Sequence, residues 1–233
     1  MQTIRSVATL SKFLQARRYI SSIYGSVPDA VPSTMLDGRL VFNERKHAYK
    51  YSGYPCVSIT SYISSLFPRF DANAIIEAYY DRWQQDPNSK YYGLDPEAIK
   101  ALWSSSGAKA IRLGTLLHGF IEAFFRGKSF DKAGLVGDDV VQQFLKFHDR
   151  FGPFSKVTPE RKLVHPSLLM AGTVDLIANG SSPNSVTIYD WKRSSKILSS
   201  DAQFFGKYCL APGLEHLPDT SFTKYTLQLN LYK

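Results

Sequence analysis

Two aspartates and a lysine sit in a stretch that is otherwise apolar. In TVDLIANGSSPNSVTIYDWKRS, from Thr173 to Ser194, a Gly/Ser/Pro/Asn connector joins two apolar runs that carry Asp175 and Asp190, with Lys192 two residues past the second. Strand alternation puts Asp190 and Lys192 on one face with Ile188, and Tyr189 and Trp191 on the other. Two residues of strand rise separate Asp190 from Lys192 by about 6.6 Å, so both reach one reaction centre. If the two runs pair as an antiparallel hairpin, Asp175 comes beside Asp190 and two like charges share a semi-buried site. A divalent cation between them resolves that cost, and carboxylate oxygens with open water positions suit Mg2+ or Mn2+. Lys192 beside it either orients or deprotonates a water, or stabilises negative charge forming on a phosphate. The plainer account is a surface salt bridge at a strand end, since a lone D-x-K triplet is common. Asp175, apolar on both sides within TVDLI, weighs against it.

Helices must lead into these strands. The segment LVFNERKHAYKY reads as a hairpin around Asn43 to Lys46, and CVSIT as a short strand or a lead into a helix. Asp71 caps a helix through DANAIIEAYYDRW, and Asp95 or Pro96 opens another through Trp103. A further helix runs from Ala108 to Phe125, with Ile111, Thr115, His118, Glu122 and Phe125 in one sector, and another from Asp138 to Phe151. Beyond Pro153 the period becomes strand-like: KVTPERKLVH, LLMAGTVDLIAN and SVTIYDWK are strand candidates, and KYTLQLNLYK is helical or partly so. Helices, then a strand meander, then a helix make an α/β chain, an α+β sandwich.

AGTVDLI followed by IYDWKRS resembles the core signature of the PD-(D/E)xK nuclease superfamily, with Asp175 as first acid, Asp190 as the (D/E) and Lys192 as the lysine. RLGTLLHGFIEAF upstream and QLNLY downstream are similar to the G-T-x-x-H helix and the Q-x-x-x-Y motif of its RecB-type exonuclease branch. The likeness covers roughly Leu113 to Lys233. It implies a restriction-endonuclease-like core: a mixed central sheet flanked by helices, behind a helical N-terminal part. It also implies Asp175, Asp190 and Lys192 as catalytic residues, and His118, Asp175 and Asp190 as metal ligands, with Gly114 and Thr115 small enough to let the helix approach the sheet. Glu122, one turn past His118, is then a partner orienting the imidazole or a further metal contact. Gln228 and Tyr232 face the site by the same analogy, against the plainer account of a core tyrosine and a solvent glutamine. Ser194 and Arg193 are phosphate contacts or solvated groups.

The activity so implied is a Mg2+-dependent deoxyribonuclease, with Mn2+ substituting: an exonuclease on single-stranded or frayed DNA ends, serving maintenance, repair or recombination. The alternative is a catalytically impaired module on the same fold that binds nucleic acid or a partner. The chain stops one residue after Tyr232 where relatives carry the helix on, so it reads as a short or an incomplete member.

Bulk properties fit one domain over 29–233 behind a basic leader, a domain that the resemblance makes a nuclease. The formal charge of +8 points to an acidic partner, nucleic acid first. Half of it comes from residues 1–28, where Arg5, Lys12, Arg17 and Arg18 meet no acid. With Ile4, Val7, Leu10, Phe13 and Leu14 at helical spacing, that leader reads as a mitochondrial transit peptide or a basic first helix. Mitochondria are the expected location; nuclear, viral and cytoplasmic settings are the alternatives. Cys56 and Cys209 cannot hold a four-cysteine iron–sulfur cluster, and no CxxC or Cys/His zinc pattern is present. No apolar run is long enough to span a membrane. Gly127-Lys128-Ser129 ends like a P-loop, but Glu122 occupies the position of the required first glycine.

Overall fold

The computed structural model describes residues 40–135, 139–180, 185–194 and 206–233; the leader expected over 1–28 lies outside them. Local signals position most elements. The first hairpin joins β1 (Leu40–Asn43) to β2 (Ala48–Tyr51), and its turn closes where Asn43 Oδ1 accepts from Lys46 N at 2.9 Å. The CVSIT segment realises both of its readings: β3 (Tyr54–Ser58) ends at Ser58, whose hydroxyl caps α1 (Ile59–Ser65) by accepting from Ser61 N. Asp71 caps α2 (Ala72–Gln85), and Asp95, with Pro96 in the first turn, caps α3 (Pro96–Phe125).

The sequence reading ends one helix at Trp103 and opens another near Ala108, whereas α3 runs unbroken through SSSG. Ile99 is buried at one end and Leu113 to Ile121 at the other, so cooperative propagation carries the helix through exposed residues of modest propensity. Next come α4 (Val140–Phe151), β4 (Thr158–His165), β5 (Met170–Asn179), β6 (Val186–Tyr189) and α5 (Ser221–Tyr232). The described residues thus form a mixed α/β fold with five α-helices and a mixed six-stranded sheet. Strand order is β1-β2-β3-β5-β4, with β6 also on β5; β3 pairs β5 in parallel, and β6 pairs it antiparallel. No helix among the described residues is long and apolar enough to cross a membrane.

The chain divides into two compact units. One comprises the described residues of Met1–Phe67, Arg161–Val174 and Gln203–Lys233. In it α5 buries Thr223, Gln228 and Tyr232 while Phe222, Leu229 and Leu231 stay exposed. The Tyr232 hydroxyl donates to Thr173 O at 2.8 Å and accepts from Gln228 Nε2 at 3.3 Å, and Tyr49 OH meets Thr173 Oγ1 at 2.8 Å. Gly172 makes room for this: a Cβ there would lie 2.8 Å from the Tyr232 ring.

The other unit comprises the described residues of Pro68–Glu160 and Asp175–Ala202. Its core gathers Leu113, Leu117, Phe120 and Ile121 of α3 with Leu135 and with Val141 and Phe144 of α4. The sector of α3 that carries Ile111, Thr115, His118 and Glu122 is not the buried one. Ile111, 73% exposed, and Thr115 face out, while His118, Glu122 and Phe125 of the same sector are half-buried. Gly114 is not a close-approach site either, since a Cβ there meets nothing within 4 Å. The tight position is Gly119, against the Phe130 ring at 3.0 Å. Gly127, at a left-handed φ of 64°, ends this helix, with Lys128 N reaching Ala123 O, so the GKS triplet is a helix stop.

Candidate metal centre

Strands β5 and β6 pair with Leu176 opposite Tyr189 and Ile177 opposite Ile188, and the next step of that register sets Asp175 against Asp190. The strand expected to continue through Lys192 ends instead at Tyr189. The Asp175 side chain takes over the ladder there: Trp191 N donates to Asp175 Oδ2 at 2.6 Å, an unusually short bond to a carboxylate. The Trp191 carbonyl turns the other way and meets His118 Nε2 at 2.9 Å. One backbone residue therefore holds a carboxylate with its N–H and an imidazole with its C=O.

Trp191 can do this because its indole is packed into an aromatic wall. It lies edge-on to Phe144 and Phe147, with centroids 5.4 and 5.0 Å away, and stacks on Tyr189. Its Nε1 is buried without a hydrogen-bond partner. Sequence reasoning read Trp191 only as the residue between Asp190 and Lys192 that points to the other face.

The Trp191 carbonyl accepts from His118 Nε2–H, which leaves Nδ1 as the nitrogen with a lone pair to offer. Nδ1 lies 3.3 Å from Asp175 Oδ1, close to the separation of about 3 Å between neighbouring ligands of a small octahedral cation. Glu160, at the head of β4, completes the set: ligand atoms of His118, Glu160 and Asp175 all lie within 4.8 Å of one another. These three could hold a metal ion. Glu160 was not singled out from the sequence, where it is one of several charged residues in the strand candidate KVTPERKLVH. A signal was present in its placement on a strand candidate directly before the one that carries Asp175.

The remaining expected residues make contacts of their own. Asp190, only 4% exposed in its side chain, is ion-paired with Lys192 and lies outside the three-ligand group. Glu122 faces Arg126, whose Nε donates to it at 2.8 Å, so the imidazole is oriented by the Trp191 carbonyl instead. Thr115 donates its hydroxyl to Ile111 O within its own helix. Arg193 and Ser194 are exposed beyond the end of β6. Gln228 and Tyr232 belong to the other unit, and both are buried there.

No family model matches this chain, and no curated protein or solved structure matches it.

The charges of the centre are coupled. Burial disfavours the His118 imidazolium, but the hydrogen bond and negative charge of Asp175, helped by the Trp191 carbonyl, outweigh burial and the repulsion of Lys192. The His118 pKa is raised above its ordinary 6.5. Burial also raises the Asp190 pKa above 3.8, and the charge of Asp175 adds to it, against the pull of Lys192 and His118. Asp175 beside His118 and Lys192 beside Asp190 are the pairings that tune these two groups.

Proposed function

We propose that the chain is a metal-dependent deoxyribonuclease with a restriction-endonuclease-like core: an exonuclease hydrolysing phosphodiester bonds at single-stranded or frayed DNA ends. The observation that carries this reading is the convergence of His118, Glu160 and Asp175 within 4.8 Å, beside a buried Asp190 and its Lys192. Two carboxylates and one imidazole form a hard donor set that fits Mg2+ or Mn2+. A cation of that kind supplies Lewis-acid charge for a phosphoryl oxygen and lowers the pKa of water.

The protein side chains supply the rest. Asp175, fixed by Trp191 N, and His118, fixed by Trp191 O, hold their ligand atoms without rearranging. Lys192 brings an ammonium next to the carboxylates, where it can donate to a phosphate oxygen or to the attacking water, and Asp190 keeps it from turning into solvent.

The test is labelled single-stranded DNA with Mg2+ or Mn2+. The unaltered chain should release nucleotides from an end, and Asp175→Asn, Asp190→Ala and Lys192→Ala should abolish release. Equal release by these variants would overturn the reading. DNA and Mn2+ binding without release would instead favour the non-catalytic module.

A further inference from the structure

We propose that Arg126 is a positioning residue that sets the Glu160 carboxylate for the cation, an inference that rests on the metal reading above. Residues 118, 122 and 126 recur at intervals of four, so His118, Glu122 and Arg126 line one side of α3 and its C-cap. The Arg126 guanidinium uses two of its nitrogens. Nε donates to Glu122 Oε1 at 2.8 Å, and Nη2 donates to Pro159 O at 3.4 Å, across 33 residues of sequence. That carbonyl belongs to the peptide that joins Pro159 to Glu160.

Glu160 needs such a hold. Its φ is +52°, in the left-handed region that residues with a Cβ avoid, yet it stands within a β-strand. Rotating the preceding peptide back would return Glu160 to ordinary extended geometry and swing its Cβ to a new direction, taking the carboxylate away from His118 and Asp175. Strain of this kind persists only where neighbours over-determine it. The guanidinium supplies a donor to the carbonyl that such a rotation would move, and Glu122 keeps the guanidinium aimed. A plain surface ion pair between Glu122 and Arg126 explains the Nε contact but neither the Nη2 contact nor the torsion of Glu160. Arginine suits the task because its rigid fork serves two acceptors at once; lysine offers a single flexible point.

The experiment titrates Mn2+ into the full chain, followed by the loss of the free-ion electron paramagnetic resonance signal. The variants are Arg126→Gln, Arg126→Lys, Glu160→Gln and the double Arg126→Gln/Glu160→Gln. Arg126→Gln should weaken Mn2+ binding about tenfold. Its melting temperature should stay close to that of the unaltered chain, since exposed ion pairs contribute little to stability. Arg126→Lys should recover part of the loss. In the Glu160→Gln background, Arg126→Gln should change affinity by less than about twofold, because the group it positions is gone. Unchanged Mn2+ affinity in Arg126→Gln, or losses that multiply in the double variant, would overturn the proposal alone. An unaltered chain that does not bind Mn2+, or a Glu160→Gln variant that binds it equally well, would overturn the metal reading and this inference with it.

Discussion

Replacing Gly172 by alanine tests the packing around β5. The backbone torsion at Gly172 lies outside the left-handed region, so alanine is allowed there as far as the main chain is concerned. The obstacle is Tyr232: the new carbon would lie 2.8 Å from Cε1 and 2.9 Å from the hydroxyl oxygen of that ring, and 3.2 Å from Ile59 Cδ1. Carbon pairs rest at about 3.5–4.0 Å, so the phenol must retreat by about 1 Å. Tyr232 is buried, and its hydroxyl is tied to Thr173 O and Gln228 Nε2. Overpacking of this size costs about 1–3 kcal/mol, and loosening the phenol hydrogen bond adds about 1 kcal/mol. Losing glycine's freedom in the unfolded chain returns about 0.5 kcal/mol. Gly172→Ala should therefore destabilise the protein by about 1.5–3.5 kcal/mol in urea unfolding, with an unchanged denaturant slope. In a Tyr232→Leu background, which lacks the clashing ring atoms, the same change should cost under about 0.5 kcal/mol. Stability of Gly172→Ala within that margin of the unaltered chain, or an equal cost in both backgrounds, would refute the reasoning.

Three further outcomes follow from the charges of the structure. With its pKa raised, metal-free His118 stays protonated above pH 6.5, and its pairing with Asp175 contributes stability below 6.5 that is lost as pH rises through the raised value. A cation must displace that proton, so calorimetric Mn2+ affinity should climb from pH 6 to pH 8, and a flat profile would remove His118 from the ligand set. Lys192→Met should cost about 3 kcal/mol at neutral pH by leaving the buried Asp190 carboxylate without its ammonium. Because the Asp190 pKa is raised, its protonated form gains on folding, and the deficit measured by urea unfolding should shrink as pH falls toward about 4. Burial pushes the Cys56 thiol up to about 11, so iodoacetamide at pH 8 should label it on the order of 100-fold more slowly than a free cysteine. Labelling within about tenfold of the free amino acid would contradict that environment.

Short-range chemistry was legible from the sequence. Asp71 and Asp95 each cap the helix assigned to them, because an N-cap needs only its own side chain and an amide three residues on. The Asn43 turn closes for the same local reason. The antiparallel pairing of the two runs, with Leu176 opposite Tyr189, was readable too, since strand alternation and a turn-rich connector specify it. Less legible was the side of α3 that would be buried, because two neighbouring sectors of one helix both carry apolar residues and only the partner decides between them.

The sequence by itself determined which groups are available: a histidine on a helix, two aspartates on neighbouring runs, a lysine two residues on. Tertiary structure alone decided how they are used. It ended β6 at Tyr189 by giving Trp191 N to the Asp175 carboxylate, and it brought Glu160 beside His118 and Asp175. It also buried Gln228 against Tyr232, where the plainer account had left a glutamine in solvent. The physical reason is range: caps and turns are settled within four residues, whereas a carboxylate chooses among partners dozens of residues away, and its rotamer depends on which of them folding delivers.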